Sequence, residues 1–188
     1  MHHCTCQLSG IIHLIIGPMF SGKTTELFRL TKQNILAGKQ VIVIKYAKDN
    51  RYDTATASTH DKYKMEALSA LSIAQVYEAI AGYDVIGIDE GQFFTDIAKY
   101  AQILANSGKM VIISALNGDF CQQPFQTITA LFPLAERVDK LSAVCKNCGH
   151  AASFTYRTNS CKERELIGGE EMYQAVCRHC YMRFTRSS

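Results

Sequence analysis

Ile11-Ile12-His13-Leu14-Ile15-Ile16-Gly17-Pro18-Met19-Phe20-Ser21-Gly22-Lys23-Thr24 is the stretch that decides the fold. The first six residues are a short, β-branched apolar run closed by Gly17-Pro18, which reads as a buried strand entering a loop. The last eight match G-x-x-x-x-G-K-[ST]. In that pattern the glycines let backbone N–H groups turn inward around phosphate oxygens, and the following helix presents its positive end. Lys23 would reach the β- and γ-phosphates, and the Thr24 hydroxyl would ligate Mg²⁺. The strand before and the helix after are the context this motif requires. Gly17, Pro18, Met19, Phe20, Ser21, Gly22, Lys23 and Thr24 are therefore assigned to a nucleoside-triphosphate site.

Outward from this loop, strand and helix alternate. Thr24 to Ala37 favours helix, with Leu27, Phe28 and Leu30 as its apolar stripe and Gly38 as its stop. Val41-Ile42-Val43-Ile44 is a second strand, and the polar stretch from Lys48 to Asp61 is a loop. Met65 to Ala81 reads as a helix ended by Gly82, and Asp84 to Ile88 as a third strand. Ile97, Ala101 and Leu104 recur at helical spacing before a fourth strand, Met110 to Ala115. Four such alternations predict an α/β fold: a P-loop-type parallel sheet flanked by crossover helices. In open sheets of this kind, ligands bind beyond the C-terminal strand ends, where Asp89 and Glu90 follow the third strand. Asp89 has the position of the acid that holds Mg²⁺. Glu90, next along an extended chain, is expected to point to the other side and act as a base toward a hydroxyl or a water.

The 188 residues, 47% hydrophobic and 20% charged, fit one domain or one domain with a small appendage, and exclude wholesale disorder. A net charge of +3 gives no electrostatic case for a nucleic-acid or membrane partner. No apolar run approaches the roughly 18 residues of a membrane span. Met1-His2-His3-Cys4-Thr5-Cys6 has no basic segment leading into an apolar one, so no secretory signal is read. A cytoplasmic location, with reduced cysteines, is expected. In that setting Cys145-Lys146-Asn147-Cys148 and Cys177-Arg178-His179-Cys180 suit a closed, tetrahedral, structural zinc site, with a redox pair or disulfides as the alternative. The strand–helix rhythm stops near Leu141, which divides the chain into a nucleotide-binding α/β domain (1–141) and a zinc-binding domain (142–188). Cys4, Cys6, Cys121 and Cys161 lack comparable partners, and His13, inside an apolar strand, reads as a satisfied packing residue.

The phosphate loop and its extension Thr25-Glu26-Leu27 do not stand alone. With Val43-Ile44-Lys45-Tyr46, Asp49-Asn50-Arg51-Tyr52, Thr59-His60-Asp61, Ile88-Asp89-Glu90-Gly91-Gln92-Phe93-Phe94, Pro133-Leu134-Ala135-Glu136, Ala143-Val144-Cys145 and Ile167-Gly168-Gly169, they resemble the cytosolic, zinc-containing (type II) thymidine kinases. The match runs in order from about Ile11 to Tyr181. The resemblance implies that ATP and thymidine, with Mg²⁺, give ADP and thymidine 5′-monophosphate, with deoxyuridine as a further acceptor. It implies that Glu90 takes the proton of the 5′-hydroxyl, that Arg51 lies near the transferring phosphate, and that the loop after it is a lid. Met19, Phe93, Leu116, Phe125, Thr155 and Tyr173 would surround the base, whose edge is read by backbone groups from Ile167, Gly168 and Gly169 to Tyr173. Zinc would tie down a lasso, Ala151 to Tyr173, that folds over the nucleoside. A homotetramer and feedback inhibition by thymidine triphosphate belong to the same expectation. Asn117, where the family usually has an acid, and Cys121-Gln122-Gln123, where it is usually more basic, depart from the pattern. No regulatory extension is read after the last knuckle. The rivals are another P-loop NTPase and a zinc-ribbon nucleic-acid-binding module.

Overall fold

A computed structural model of the chain describes residues 10–49, 66–158, 169 and 171–186. Six strands make the central sheet: β1 (Ile11–Gly17), β2 (Val41–Tyr46), β3 (Glu66–Ala70), β4 (Val85–Ile88), β5 (Met110–Leu116) and β6 (Arg137–Lys140). Their order is β3-β2-β4-β5-β1-β6, and every neighbouring pair is parallel. The crossover helices are α1 (Lys23–Leu36), α2 (Tyr77–Ile80) and α3 (Ile97–Asn106), with the short α4 (Gln126–Thr129) before β6.

Burial on both faces explains why the inner strands are continuous apolar runs. Ile12, Leu14, Ile42, Ile86, Val111 and Ile113 pack toward Ile97, Ala101 and Leu104 of α3. Ile15, Val41, Val85 and Ile112 point the other way, onto Leu27 and Leu30 of α1. α1 ends as the sequence predicts: Gly38 adopts φ 79°, and its amide donates back to Ile35 O. His13 is satisfied as expected, with Nε2 2.7 Å from Asp139 Oδ2 across the β1–β6 pair.

Two expectations change. The sheet has six strands rather than four, and the predicted helix over 65–81 is β3 followed by a turn, a 3-10 turn Ala74–Val76 and one turn of α2. Glu-Ala-Leu-Ser-Ala favours helix locally, but register pairing of Glu66–Ala70 with Ile42–Tyr46 overrides that preference. The Asp96 carboxylate accepts the amides of Ile73 and Ala74 and so starts the helical segment late. β6 reads Arg-Val-Asp-Lys, a polar edge strand with no apolar run to reveal it.

After β6 come the hairpin β7 (Ala143–Val144) and β8 (Ala151–Ala152), then β9 (Phe154–Arg157) paired antiparallel with β10 (Tyr173–Val176), then α5 (Arg178–Arg186). They share a small core of their own, with Ala143, Cys145, Ala152, Ala175, Val176, Cys180 and Tyr181 buried. Among the described residues no helix is long and apolar enough to cross a membrane.

Candidate active site

The loop between β1 and α1 is built around its backbone. Phe20 (φ 63°) and Gly22 (φ 79°) both take left-handed conformations, and Gly22 caps α1 with no side chain over the helix end. The first-turn amides therefore face the loop, as an anion site requires. Ser21 Oγ and Lys23 Nζ donate to Pro18 O at 2.8 and 2.7 Å, which holds the loop curled. Gly17 has no room for a side chain, since a Cβ there would lie 2.5 Å from Ser21 Oγ and 2.8 Å from Leu141 O.

β5 lies between β1 and β4, so Ser114 of β5 stands beside Asp89 at the end of β4. Asp89 is buried. Thr24 Oγ1 donates to its two oxygens at 3.0 and 3.2 Å, and Ser114 Oγ makes a short hydrogen bond to Oδ1. Burial, and then the charge of Glu90, push the Asp89 carboxyl above its ordinary range, against the hydrogen bonds from Ser114 and Thr24. A carboxylate and a hydroxyl at the mouth of a phosphate loop are hard oxygen donors, and this pair fits Mg²⁺.

Glu90 corrects one expectation. The chain leaves the extended region there, at φ 54° and ψ 43°, and enters a 3-10 turn, Gly91–Phe93. The turn, and not strand alternation, aims its side chain. Gln92 Nε2 donates to Glu90 Oε2 at 2.5 Å, and Gln92 Oε1 accepts the Leu116 amide at 3.0 Å. The outcome is a cavity of about 230 Å³ lined by Met19, Phe20, Gly22, Lys23, Thr24 and Thr25 of the phosphate loop and helix start together with Glu90 and Leu116.

The four knuckle cysteines converge at the other end of the chain, their Sγ atoms all within 4.8 Å of one another. The Cys148 and Cys177 sulfurs are 3.6 Å apart. A tetrahedral zinc–thiolate site, with bonds of about 2.3 Å, has sulfur–sulfur edges of about 3.8 Å, so the cluster fits that ion. Burial raises the Cys145 thiol, but the amides of Cys177, Asn147 and Cys148 outweigh it and lower its pKa to about 6. For Cys148 the His150 amide lowers the pKa, but the neighbouring thiol of Cys145, desolvation and the thiols of Cys177 and Cys180 outweigh it and push it up to about 12. Asn147 Nδ2 donates to Cys180 Sγ at 3.1 Å, an outer-shell contact that orients the sulfur.

A sequence model of the thymidine kinase family matches residues 10–181. The chain is 51% identical over 173 residues to the thymidine kinase of vaccinia virus (strain Western Reserve), which covers 92% of this chain and 97% of the viral one. The thymidine kinases of raccoon poxvirus (50%) and monkeypox virus (51%) match over the same shares. The chain belongs to the thymidine kinase family.

Against that family, the predicted site residues fall into three groups. The phosphate loop, Asp89, Glu90, Met19 and Leu116 come together at the cavity. Thr155 joins them from β9, where its Oγ1 accepts the Met19 amide at 3.0 Å. Phe93, Phe125 and Tyr173 sit further out. Phe93 stacks on Tyr46 with ring centroids 5.0 Å apart, Phe125 is buried ahead of α4, and the Tyr173 hydroxyl is 2.6 Å from Arg157 Nη2. The Gly169 carbonyl accepts the Tyr173 amide at 3.1 Å. Arg51, Ile167 and Gly168 lie outside the described residues, as do Cys4, Cys6, His60 and Cys161. Of the departures from the family pattern, Asn117 Nδ2 reaches Ser153 O at 3.4 Å, and Cys121 is exposed beside Gln122, whose φ is 61°.

Three functional candidates escape a sequence reading. Ser114 holds Asp89, and its signal was available as a lone hydroxyl within an apolar strand. Arg157 is 5% exposed with its guanidinium 3.8 Å from the Phe120 ring centroid, and nothing in Phe-Thr-Tyr-Arg announces a buried cation. Gln92 is the third.

Proposed function

We propose that this chain transfers the γ-phosphoryl group of ATP to the 5′-hydroxyl of thymidine, giving ADP and thymidine 5′-monophosphate. One observation carries the reading: a phosphate loop and a separate carboxylate, Glu90, face the same cavity, within a chain of the thymidine kinase family. Glu90 removes the proton of the 5′-hydroxyl as its oxygen bonds to the γ-phosphorus and the bond from that phosphorus to the β–γ bridging oxygen breaks. The loop amides and Lys23 take up phosphate charge, and Arg51 adds a positive charge near the transferring group. Mg²⁺, held by Thr24 and Asp89, supplies further charge neutralisation when bound. Met19, Phe93, Leu116, Phe125, Thr155 and Tyr173 surround the base, with backbone groups at Ile167, Gly168 and Gly169 reading its edge.

In the same reading Cys145, Cys148, Cys177 and Cys180 hold a structural zinc. That site is closed and takes no part in the chemistry. Residues 142–188 are a zinc-binding domain whose lasso, Ala151 to Tyr173, closes over the nucleoside. A homotetramer, feedback inhibition by thymidine triphosphate, acceptance of deoxyuridine and a cytoplasmic location extend the proposal from family membership.

The test is a panel of nucleosides with Mg²⁺-ATP, scored for 5′-phosphorylation, with Glu90→Gln alongside. ADP formation is expected to follow added thymidine. Glu90→Gln is expected to bind both substrates while kcat falls by a factor of about 100 or more. ATP consumption without nucleoside, or normal turnover in the variant, overturns the assignment.

A further inference from the structure

Gln92 is 4% exposed, and its amide bridges two elements. A backbone N–H can only donate, so the Leu116 amide decides which end of the Gln92 side chain is oxygen. The NH₂ end is left facing Glu90, where it donates to Oε2. Gln92 is itself anchored, because Thr127 Oγ1 of α4 donates to its carbonyl at 3.1 Å. Glu90 needs such a brace. It sits in a left-handed backbone conformation at the head of a 3-10 turn, beyond the last paired residue of β4, and beside the like charge of Asp89. A glutamate side chain has three rotatable bonds, and a hydrogen bond to its carboxylate narrows the rotamers it samples.

We propose that Gln92 is a positioning residue for phosphoryl transfer, which orients the Glu90 carboxylate and ties it to the backbone of Leu116, a residue that lines the same cavity. This rests on Glu90 being the base of the proposed reaction. The brace donates through the Gln92 NH₂ group to one carboxylate oxygen, Oε2, and so limits rotation of the Glu90 carboxylate. It also makes the wall and the base move together, because Leu116 cannot shift without straining the amide that holds Glu90. Errors of about 1 Å in such placement cost roughly 100-fold in rate.

Two variants separate a positioning role from the bland one, in which Gln92 merely satisfies the Leu116 amide. Gln92→Met keeps the volume and removes both hydrogen bonds. Gln92→Glu keeps the acceptor for Leu116 and removes the donor toward ionised Glu90. Both are expected to lower kcat about 10- to 100-fold with KM for ATP close to the parent, and Gln92→Met is expected to lower the melting temperature as well, because the Leu116 N–H loses its acceptor. Each is then combined with Glu90→Gln, where the second substitution is expected to cost less than about twofold, because its target is already gone. The proposal is overturned if Gln92→Glu keeps kcat within about threefold of the parent, or if its penalty is the same in both backgrounds. Normal turnover in Glu90→Gln alone removes the base assignment instead, and this inference with it.

Discussion

Asp89 illustrates what a site residue costs its fold. Its carboxyl is buried against Ser114 and Thr24, and burial together with the Glu90 charge raises its pKa. A folded pKa above the unfolded one means that the native state holds the proton more tightly. The stability linked to this group is then fully present below the unfolded value and lost as pH rises through the folded value. Above the folded value the ionised side chain is a net cost. Asp89→Asn keeps the shape and removes the charge, so the ligand-free protein is expected to gain stability, read as a higher Tm, at pH 8. The gain should fade as pH drops toward the ordinary carboxylate range. Mg²⁺-ATP-dependent turnover is expected to fall at least about 100-fold in the same variant. Paired thermal melts across pH check this, and a variant less stable than the parent at pH 8, or a pH-independent difference, contradicts it. Asp89 and Glu90 were legible in the sequence because a pair of acids ended an apolar run. Their support was not, since Ser114 and Gln92 take meaning only when β5 is known to run beside β4.

Elements were legible in proportion to how much of them is buried. β1, β2, β4 and β5 are covered on both faces, so each is an apolar run that declares itself. β3 and β6 close the two edges of the sheet. Edge strands are short and polar to discourage further pairing, which hides them from any reading of periodicity. The 3-10 turn Gly91–Phe93 is illegible for a related reason, since three residues carry no period. It is nevertheless tightly specified: a Cβ on Gly91 would lie 2.7 Å from Ile113 Cγ2 and 3.0 Å from Ile97 Cδ1. Gly91→Ala is therefore expected to destabilise the protein by about 1–3 kcal/mol through overpacking, and to shift Glu90 with the turn. Denaturant titration and thymidine turnover should fall together. A fully stable, fully active variant means that the β5–α3 contact yields more than its packing suggests.

At the scale of the molecule, two separate cores meet. The sheet core and the core shared by β7 to β10 and α5 are distinct clusters. Their junction includes the Met19 amide on Thr155 Oγ1, at 3.0 Å, Tyr181, whose hydroxyl donates to Phe120 O at 2.8 Å, the Arg157 guanidinium over the Phe120 ring, and Asn117 Nδ2 on Ser153 O. Tyr181 follows Cys180 directly, and its amide bonds Cys177 O, so the cysteine cluster governs where that hydroxyl sits. The second core is small, with few large apolar residues, and a tetrahedral metal would supply much of its folding energy. Chelation is thus expected to loosen the β9–β10 hairpin and with it Thr155 and Tyr173, while the sheet, with its own core, stays folded. Thymidine affinity should drop about tenfold or more, with the helix and strand content seen by circular dichroism nearly unchanged. Readdition of Zn²⁺ should restore binding. A metal-free protein that remains folded and binds thymidine as tightly as before would show that the hairpin holds its place without the four thiolates, and that the contacts at Met19 and Phe120 suffice by themselves.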